Sequence, residues 1–160
     1  MPLLQATLKT AILRRTDPTR SDFAGWPAGI AGVADSWADV ATAYFSGMTT
    51  PLPTAEALGL GYVAMRDAIV AAADSNGRLP QTRAQFNVWF PTAWAAFAAA
   101  MLPLLPLPPV APPIGLFQLT AADFQATSNP GPPADRLATL IDTWTRTATC
   151  HVGGVPVPWS

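Results

Sequence analysis

The sequence predicts a mainly α-helical fold: a single-domain helical bundle of about five helices with extended, proline-rich arms and room for one short β segment. Three observations predict it. The length of 160 residues is typical of one domain. Apolar residues make up 50% of the chain and recur at helical spacing in several stretches. Many of the 18 prolines and 11 glycines lie between those stretches, where they end helices and stiffen the connections.

The first two helices are predicted by apolar spacing and by signals at their ends. Residues 3–15 carry Leu4 and Ile12 at helical spacing, and two arginines in the last turn suit the negative end of the helix dipole. Residues 32–46 form a second amphipathic stretch, and Gly47 follows it as a stop signal. These stretches should therefore pack one apolar stripe each against the core.

The third helix is predicted to begin after Thr54. The Thr54 hydroxyl can accept a hydrogen bond from the first turn, and Glu56 supplies negative charge where the helix dipole favours it. Gly59 and Gly61 interrupt an otherwise good helical pattern, at a cost of roughly 1 kcal/mol each. Two such glycines predict that another group packs closely against this part of the helix.

The fourth and fifth helices complete the predicted bundle. Residues 81–102 are rich in aromatic side chains and alanine, and Pro91 should either kink this helix or start a new one. Residues 133–148 form the last amphipathic helix, with Pro133 at its first position. The side chains predicted for the core are Trp37, Val40, Tyr44, Ile69, Trp94, Leu140, Ile141 and Trp144.

Two segments are predicted to be extended. Residues 103–113 contain six prolines and are typical of polyproline II, and residues 114–119 are the candidate short strand. The tail contains two glycines and a Pro-x-Pro-Trp sequence. We therefore divide the chain into a helical domain, residues 1–148, which includes the proline-rich segment 103–119, and an extended C-terminal arm, residues 149–160.

Charged side chains are scarce. They make up 12% of the residues, against about 25% in an average soluble domain, and the formal net charge is -1. This balance disfavours a role in coating nucleic acid. So few charges cannot cover the surface of a small monomer, which indicates permanent assembly. The alternative is a surface of alanine, threonine and serine that stays soluble without a partner.

No residue pattern predicts catalysis or metal binding. Cys150 and His151 form the one visible pair of nucleophile and base, but neighbours in sequence rarely place their side chains for a mutual hydrogen bond. Asp35 and Asp39 stand one helical turn apart, and without a further ligand they indicate a solvated face. We expect no catalytic residue, no cofactor and no metal. Cys150 is interpreted as a plain thiol, and an intermolecular disulfide through it is left open.

The two stretches 34–49 and 134–149 resemble each other. Each contains an amphipathic helix and a threonine-containing stretch, and a Pro-x-Pro sequence follows. An internal duplication would let the two helices pack about a pseudo-twofold axis, each sending out an arm. Two alanine-rich helices that share a period would give the same matches, so both explanations stay open.

Two segments of the chain resemble a known group of proteins. The last 27 residues read ADRLATLIDTWTRTATCHVGGVPVPWS, and an earlier segment reads ADSWADVATAYFSGM. The first resembles the C-terminal end, and the second the first core helix, of small virion proteins of tailed bacteriophages that are rich in alanine and proline. The resemblance implies a structural component of a phage particle or a related contractile tail, and it implies no active site.

We therefore expect a structural protein of a virion that works as one of many copies. It should act by subunit–subunit packing and arm exchange with copies of itself and with other virion proteins, with Trp159 as an anchor in a partner's pocket. Its position in head, neck, tail or baseplate is left open. The residues predicted to contact neighbours are Pro106, Pro109, Pro113, Phe117, Val155, Pro158 and Trp159.

Two alternatives belong to other functional classes. Residues 84–122 contain no charged side chain, which is compatible with a membrane-associated or lysis-type protein. Flotation with lipid vesicles would distinguish such a protein from a virion component. A small enzyme with an unrecognised site is the other alternative, and it would need polar groups that converge in a pocket.

Overall fold

The helical prediction is confirmed by a computed structural model that describes residues 2–124 and 129–160. Within these residues the chain forms five α-helices, two short 3-10 turns and one two-stranded antiparallel sheet. The helices are α1 (Pro2–Thr16), α2 (Gly29–Phe45), α3 (Ala55–Ala72), α4 (Arg83–Met101) and α5 (Gly131–Thr145); the strands are β1 (Thr149–Val152) and β2 (Val155–Pro158); the 3-10 turns are Leu102–Leu104 and Ala121–Phe124.

The helices pack in a chain of neighbours. α1 lies against both α2 and α5, α2 packs on α3, and α3 packs on α4. Aromatic side chains from α2 and α4 fill the middle of the core, where the rings of Phe45 and Phe97 stack with centroids 4.9 Å apart and Trp94 packs beside them. Such rings bury large apolar areas, so they dominate the packing energy.

Threonine caps begin two of the helices. The Thr54 hydroxyl accepts a hydrogen bond from the backbone N–H of Ala57 at 3.1 Å, as the sequence predicts. The Thr82 hydroxyl does the same for Gln85 at the start of α4. Each cap satisfies a backbone donor that has no partner inside the helix. α4 then continues through Pro91 as one helix.

Most residues predicted for the core are buried. Trp37 and Leu140 are half-buried and pack against the core from its edge. The side chain of Leu4 lies outside the part of the structure that is described. The fully or almost fully buried members of the predicted set are Val40, Tyr44, Ile69, Trp94, Ile141 and Trp144.

The proline-rich segment departs from the prediction. Residues 106–109 bend instead of forming a straight polyproline II helix, and Leu107 has a φ of 69°, where polyproline II needs about −75°. The bend turns the Leu107 carbonyl toward β1, where it accepts a hydrogen bond from the His151 N–H at 3.0 Å. Residues 114–119, predicted as a short strand, are irregular.

The predicted C-terminal arm folds back onto the bundle. Residues 149–160 form a hairpin, and the backbone oxygen of Ser160 accepts hydrogen bonds from the N–H groups of Thr49 and Thr50. The accessible surface of 8103 Å² is close to the roughly 7,600 Å² of a compact monomer of this mass. The hydrogen bonds between Ser160 and Thr49–Thr50 join the two arms of the suggested duplication, and whether the duplication is real stays open.

None of the helices within the described residues combines the length and the hydropathy that a membrane span requires.

Gly61 provides a test of the close packing predicted on α3. A Cβ at this position would overlap the ring of Phe97, which is fully buried and stacked on Phe45 and so cannot move aside. Gly61→Ala should therefore lower the free energy of unfolding by about 1–3 kcal/mol, in spite of the better helix propensity of alanine. Urea unfolding followed by circular dichroism measures the change.

Gly59 is the matched control on the same helix, because a Cβ there meets no atom within 4 Å. Gly59→Ala should raise the free energy of unfolding by about 0.5–1 kcal/mol. Equal effects of the two substitutions would contradict the packing of Gly61 against Phe97.

Candidate interaction surface

A buried polar cluster joins α2 to α5 just before the hairpin. The Tyr44 hydroxyl donates to one carboxylate oxygen of Asp142 at 2.8 Å, and the Arg146 guanidinium donates to the other at 2.8 Å. Burial raises the pKa of Tyr44 above its ordinary value, and the hydrogen bond with Asp142 raises the pKa of Arg146. Tyr44 therefore stays a neutral donor, and the cluster fixes the end of α5 from which the hairpin departs.

The proline-rich loop is tied to α5 and to β1 by backbone groups. Ala111 exchanges two hydrogen bonds with Thr149, at 2.8 and 3.2 Å. The Ile114 N–H donates to the Thr147 hydroxyl at 2.7 Å, and the Trp144 indole donates to the carbonyl of Gly115 at 3.0 Å. These contacts bring residues 105–116 and the hairpin into one connected region.

The hairpin itself closes through a two-residue turn. Gly153 and Gly154 have φ values of 59° and 83°, a conformation that glycine adopts without a steric penalty. Turns of this kind match the right-handed twist of paired strands. Val152 and Val155 flank the turn as cross-strand partners, so two apolar side chains stand at the tip of the hairpin.

The free edge of β2 carries no outward backbone donor. Thr149 and His151 direct their N–H groups toward the loop, away from β2. In an antiparallel pair, the residue opposite such a position also directs its backbone N and O away from its partner. The register places Pro158 opposite Thr149 and Pro156 opposite His151. Both outward nitrogens therefore belong to proline, which has no hydrogen to donate.

We call residues 105–116 and 147–158 the neutral surface, because these segments contain no Asp, Glu, Lys or Arg. Large apolar side chains are nevertheless exposed on it: Ile114 is 77% and Val155 60% accessible. These side chains lie on two segments that are hydrogen-bonded to each other, and contiguous apolar surface marks interaction sites in proteins. The other exposed apolar side chains of the neutral surface are Leu107, Leu116 and Val152.

The residues predicted to contact neighbours fall into two groups. Pro106, Pro109, Val155 and Pro158 are exposed on the neutral surface. The other three are buried in their own chain, because the loop and the hairpin pack inward as well as outward; they are Pro113, Phe117 and Trp159.

Trp159, which the sequence predicts as an anchor in a partner's pocket, lies against its own bundle in the structure. Its side chain is 1% exposed and packs edge-on against Phe45 of the same chain, with ring centroids 6.5 Å apart. Its backbone N–H pairs with the Ala148 carbonyl at 3.0 Å. The tryptophan that the sequence marks as an interface residue therefore holds the hairpin on its own bundle.

Cys150 and His151 point to opposite sides of β1, as successive strand residues do. Cys150 is fully buried, and burial raises the pKa of its thiol; His151 is half-buried. Their side chains are therefore not arranged as a nucleophile and its base. Within the described residues, no group of three or more His, Cys, Asp or Glu side chains is placed to hold a metal ion.

Two surface clefts lie on the helical part of the chain. One, of about 500 Å³, runs between α1 and α2, and its charged groups are Arg14, Arg15, Asp22 and Asp39, whose charges balance. Arg15 is already paired with Asp39 at 2.6 Å. The second, of about 420 Å³, is mostly apolar and includes Trp37 in its lining.

No family model, curated protein or solved structure matches this chain.

Substitutions of Trp159 test the role of the buried indole. Within the described residues its indole N–H has no hydrogen-bond partner, so the ring contributes through packing alone. Trp159→Ala should lower the free energy of unfolding by about 3–5 kcal/mol, because it leaves a large cavity. Trp159→Phe should change it by less than about 1.5 kcal/mol, because lost packing is offset by removal of an unpaired buried donor. Calorimetry measures both values, and an unchanged stability of Trp159→Ala would return the side chain to an intermolecular role.

The thiol of Cys150 should react slowly in the folded protein. Burial keeps it protonated and out of reach, whereas the thiolate is the reactive form. Labelling with an aromatic disulfide at pH 8 should be at least about tenfold slower than in 6 M urea. A Val63→Cys substitution in a Cys150→Ser chain is the exposed control, because Val63 is 53% exposed on α3 and lies away from residues 105–116 and 147–158; it should label at the same rate in both conditions.

Proposed function

We propose that this protein is a structural subunit of a multi-copy particle, of the kind from which a tailed-phage virion or a related contractile tail is built. It acts by packing against neighbours and performs no catalysis. The neutral surface carries the proposal, because it exposes apolar side chains in a region without a charged residue. The resemblance of the two sequence segments supports the choice of a phage particle.

The energetics of the neutral surface favour a permanent partner. Full burial of an exposed valine, leucine or isoleucine is worth about 1.5–3 kcal/mol. Five such side chains are partly exposed on the neutral surface, so their burial contributes on the order of several kcal/mol toward the cost of association.

The folded hairpin favours contact with neighbours through its outer surface and disfavours exchange of the C-terminal arm between subunits. Arm exchange, which the sequence also predicts, would require β2 and Trp159 to leave their own bundle. The burial of Trp159 against Phe45 and the pairing of Ser160 with Thr50 both oppose that release.

Attachment to a lipid surface is the second candidate, because the same exposed side chains could enter the interface of a bilayer. Ile114 and Val155 would be the inserted residues. The neutral surface lacks the lysine and arginine that strengthen binding to anionic lipid, which favours the particle over the membrane.

Mass spectrometry of purified particles from the source tests the proposal. A structural subunit should be present at a constant ratio to the other particle proteins and should resist washing with 1 M salt, because apolar contacts are not screened. In parallel, flotation with neutral and anionic vesicles should leave the protein in the bottom fraction. Absence from washed particles together with flotation would replace the proposed function with the lipid candidate.

A further inference from the structure

We infer that the partner of the neutral surface is the same surface on a second copy of this chain, related by a two-fold axis. The inference rests on the proposed function, since both use this surface, and it goes further by naming the occupant and the mode of contact.

Charge is the first argument for a second copy. A partner that placed a charged group against the neutral surface would bury it without a counter-charge, which is strongly unfavourable. The partner's contact area must therefore also lack ionic side chains. On this chain, the helices carry exposed ion pairs such as Lys9–Asp135 and Arg66–Asp35, whereas the neutral surface carries none. Two copies of the neutral surface meet this condition.

Size is the second argument. The neutral surface consists of two segments of twelve residues each, 105–116 and 147–158; four of these 24 residues are buried, so 20 are at least partly accessible. A stable protein interface uses about 20–30 residues a side. In a two-fold contact each copy presents the same patch, so one surface of this size is enough for a closed dimer.

The backbone of β2 excludes a continuous β-sheet between the two copies. Two hairpins could continue one sheet across the axis only if the free edge of β2 offered N–H groups. Pro156 and Pro158 occupy its outward positions, so this edge has acceptors without donors. The contact must therefore be made by side chains, and the exposed ones nearest the hairpin tip and the loop are Val152, Val155 and Ile114.

Sedimentation velocity of the full chain over a range of concentrations tests the inference. The unmodified protein should show a reversible monomer–dimer equilibrium. Val155→Asp and Ile114→Asp should each raise the dissociation constant at least about 30-fold, because each buries an unpaired carboxylate in the contact. Ile114 is 77% exposed, so its substitution should leave the fold intact, and circular dichroism checks this point.

Val63→Asp is the matched control. Val63 is 53% exposed on α3, outside the neutral surface, and its substitution should leave the dissociation constant unchanged. A protein that stays monomeric at all concentrations would overturn the inference, as would equal weakening by Val63→Asp and Val155→Asp. The proposed function fails separately, by absence of the protein from washed particles, so the two failures can be told apart.

Discussion

The pairing of strand β1 on both of its edges is the constraint on which the rest of the structure depends. On one side, residues 107–111 of the proline-rich loop pair with the N–H and carbonyl of Thr149 and with the N–H of His151; on the other, β2 completes the hairpin. An unpaired buried backbone group costs about as much as a lost hydrogen bond, so each segment needs the other to fold. Trp159 then closes the arrangement against Phe45. Through these contacts, two segments without regular helical structure become one defined surface.

Charged side chains are absent from the same loop and hairpin segments that lack helical structure. The ion pairs lie outside the neutral surface, including Arg15–Asp39 between α1 and α2 and Lys9–Asp135 between α1 and α5. Such exposed pairs add little stability, typically less than about 1 kcal/mol each, but they keep the helical faces hydrated. The loop and hairpin have no such groups. Exposed apolar side chains occur on both parts of the molecule, for example Val63 on α3 and Val155 on the hairpin, but the loop and hairpin segments combine them with a sequence free of ionic residues over their whole length.

The sequence predicts the helices well because their signals are local. Apolar spacing, the Thr54 cap and the interruption at Gly61 all act within a few residues, and the structure confirms the cap and the close packing. The sequence predicts an open arm where the structure has a hairpin. Gly153–Gly154 between alternating residues is a hairpin signal, but the neighbouring prolines favour extended chain. The burial of Trp159 could not be predicted, because it depends on Phe45, which is distant in sequence. The sequence shows that the neutral surface contains no Asp, Glu, Lys or Arg. It does not show which side chains of this surface are exposed to water.

The positions of the two prolines in β2 explain how an apolar hairpin can stay free of uncontrolled strand pairing. Val155 and Val157 lie opposite Val152 and Cys150, at the positions where the backbone groups of β2 point toward β1. Pro156 and Pro158 alternate with them, where a backbone nitrogen would point outward. Proline therefore removes no hydrogen bond from the hairpin while removing both donors from its exposed edge. A shift of either proline by one residue would reverse this result, breaking the hairpin and opening the edge. The alternation thus blocks growth through the backbone and leaves the valine side chains free for a closed, side-chain contact.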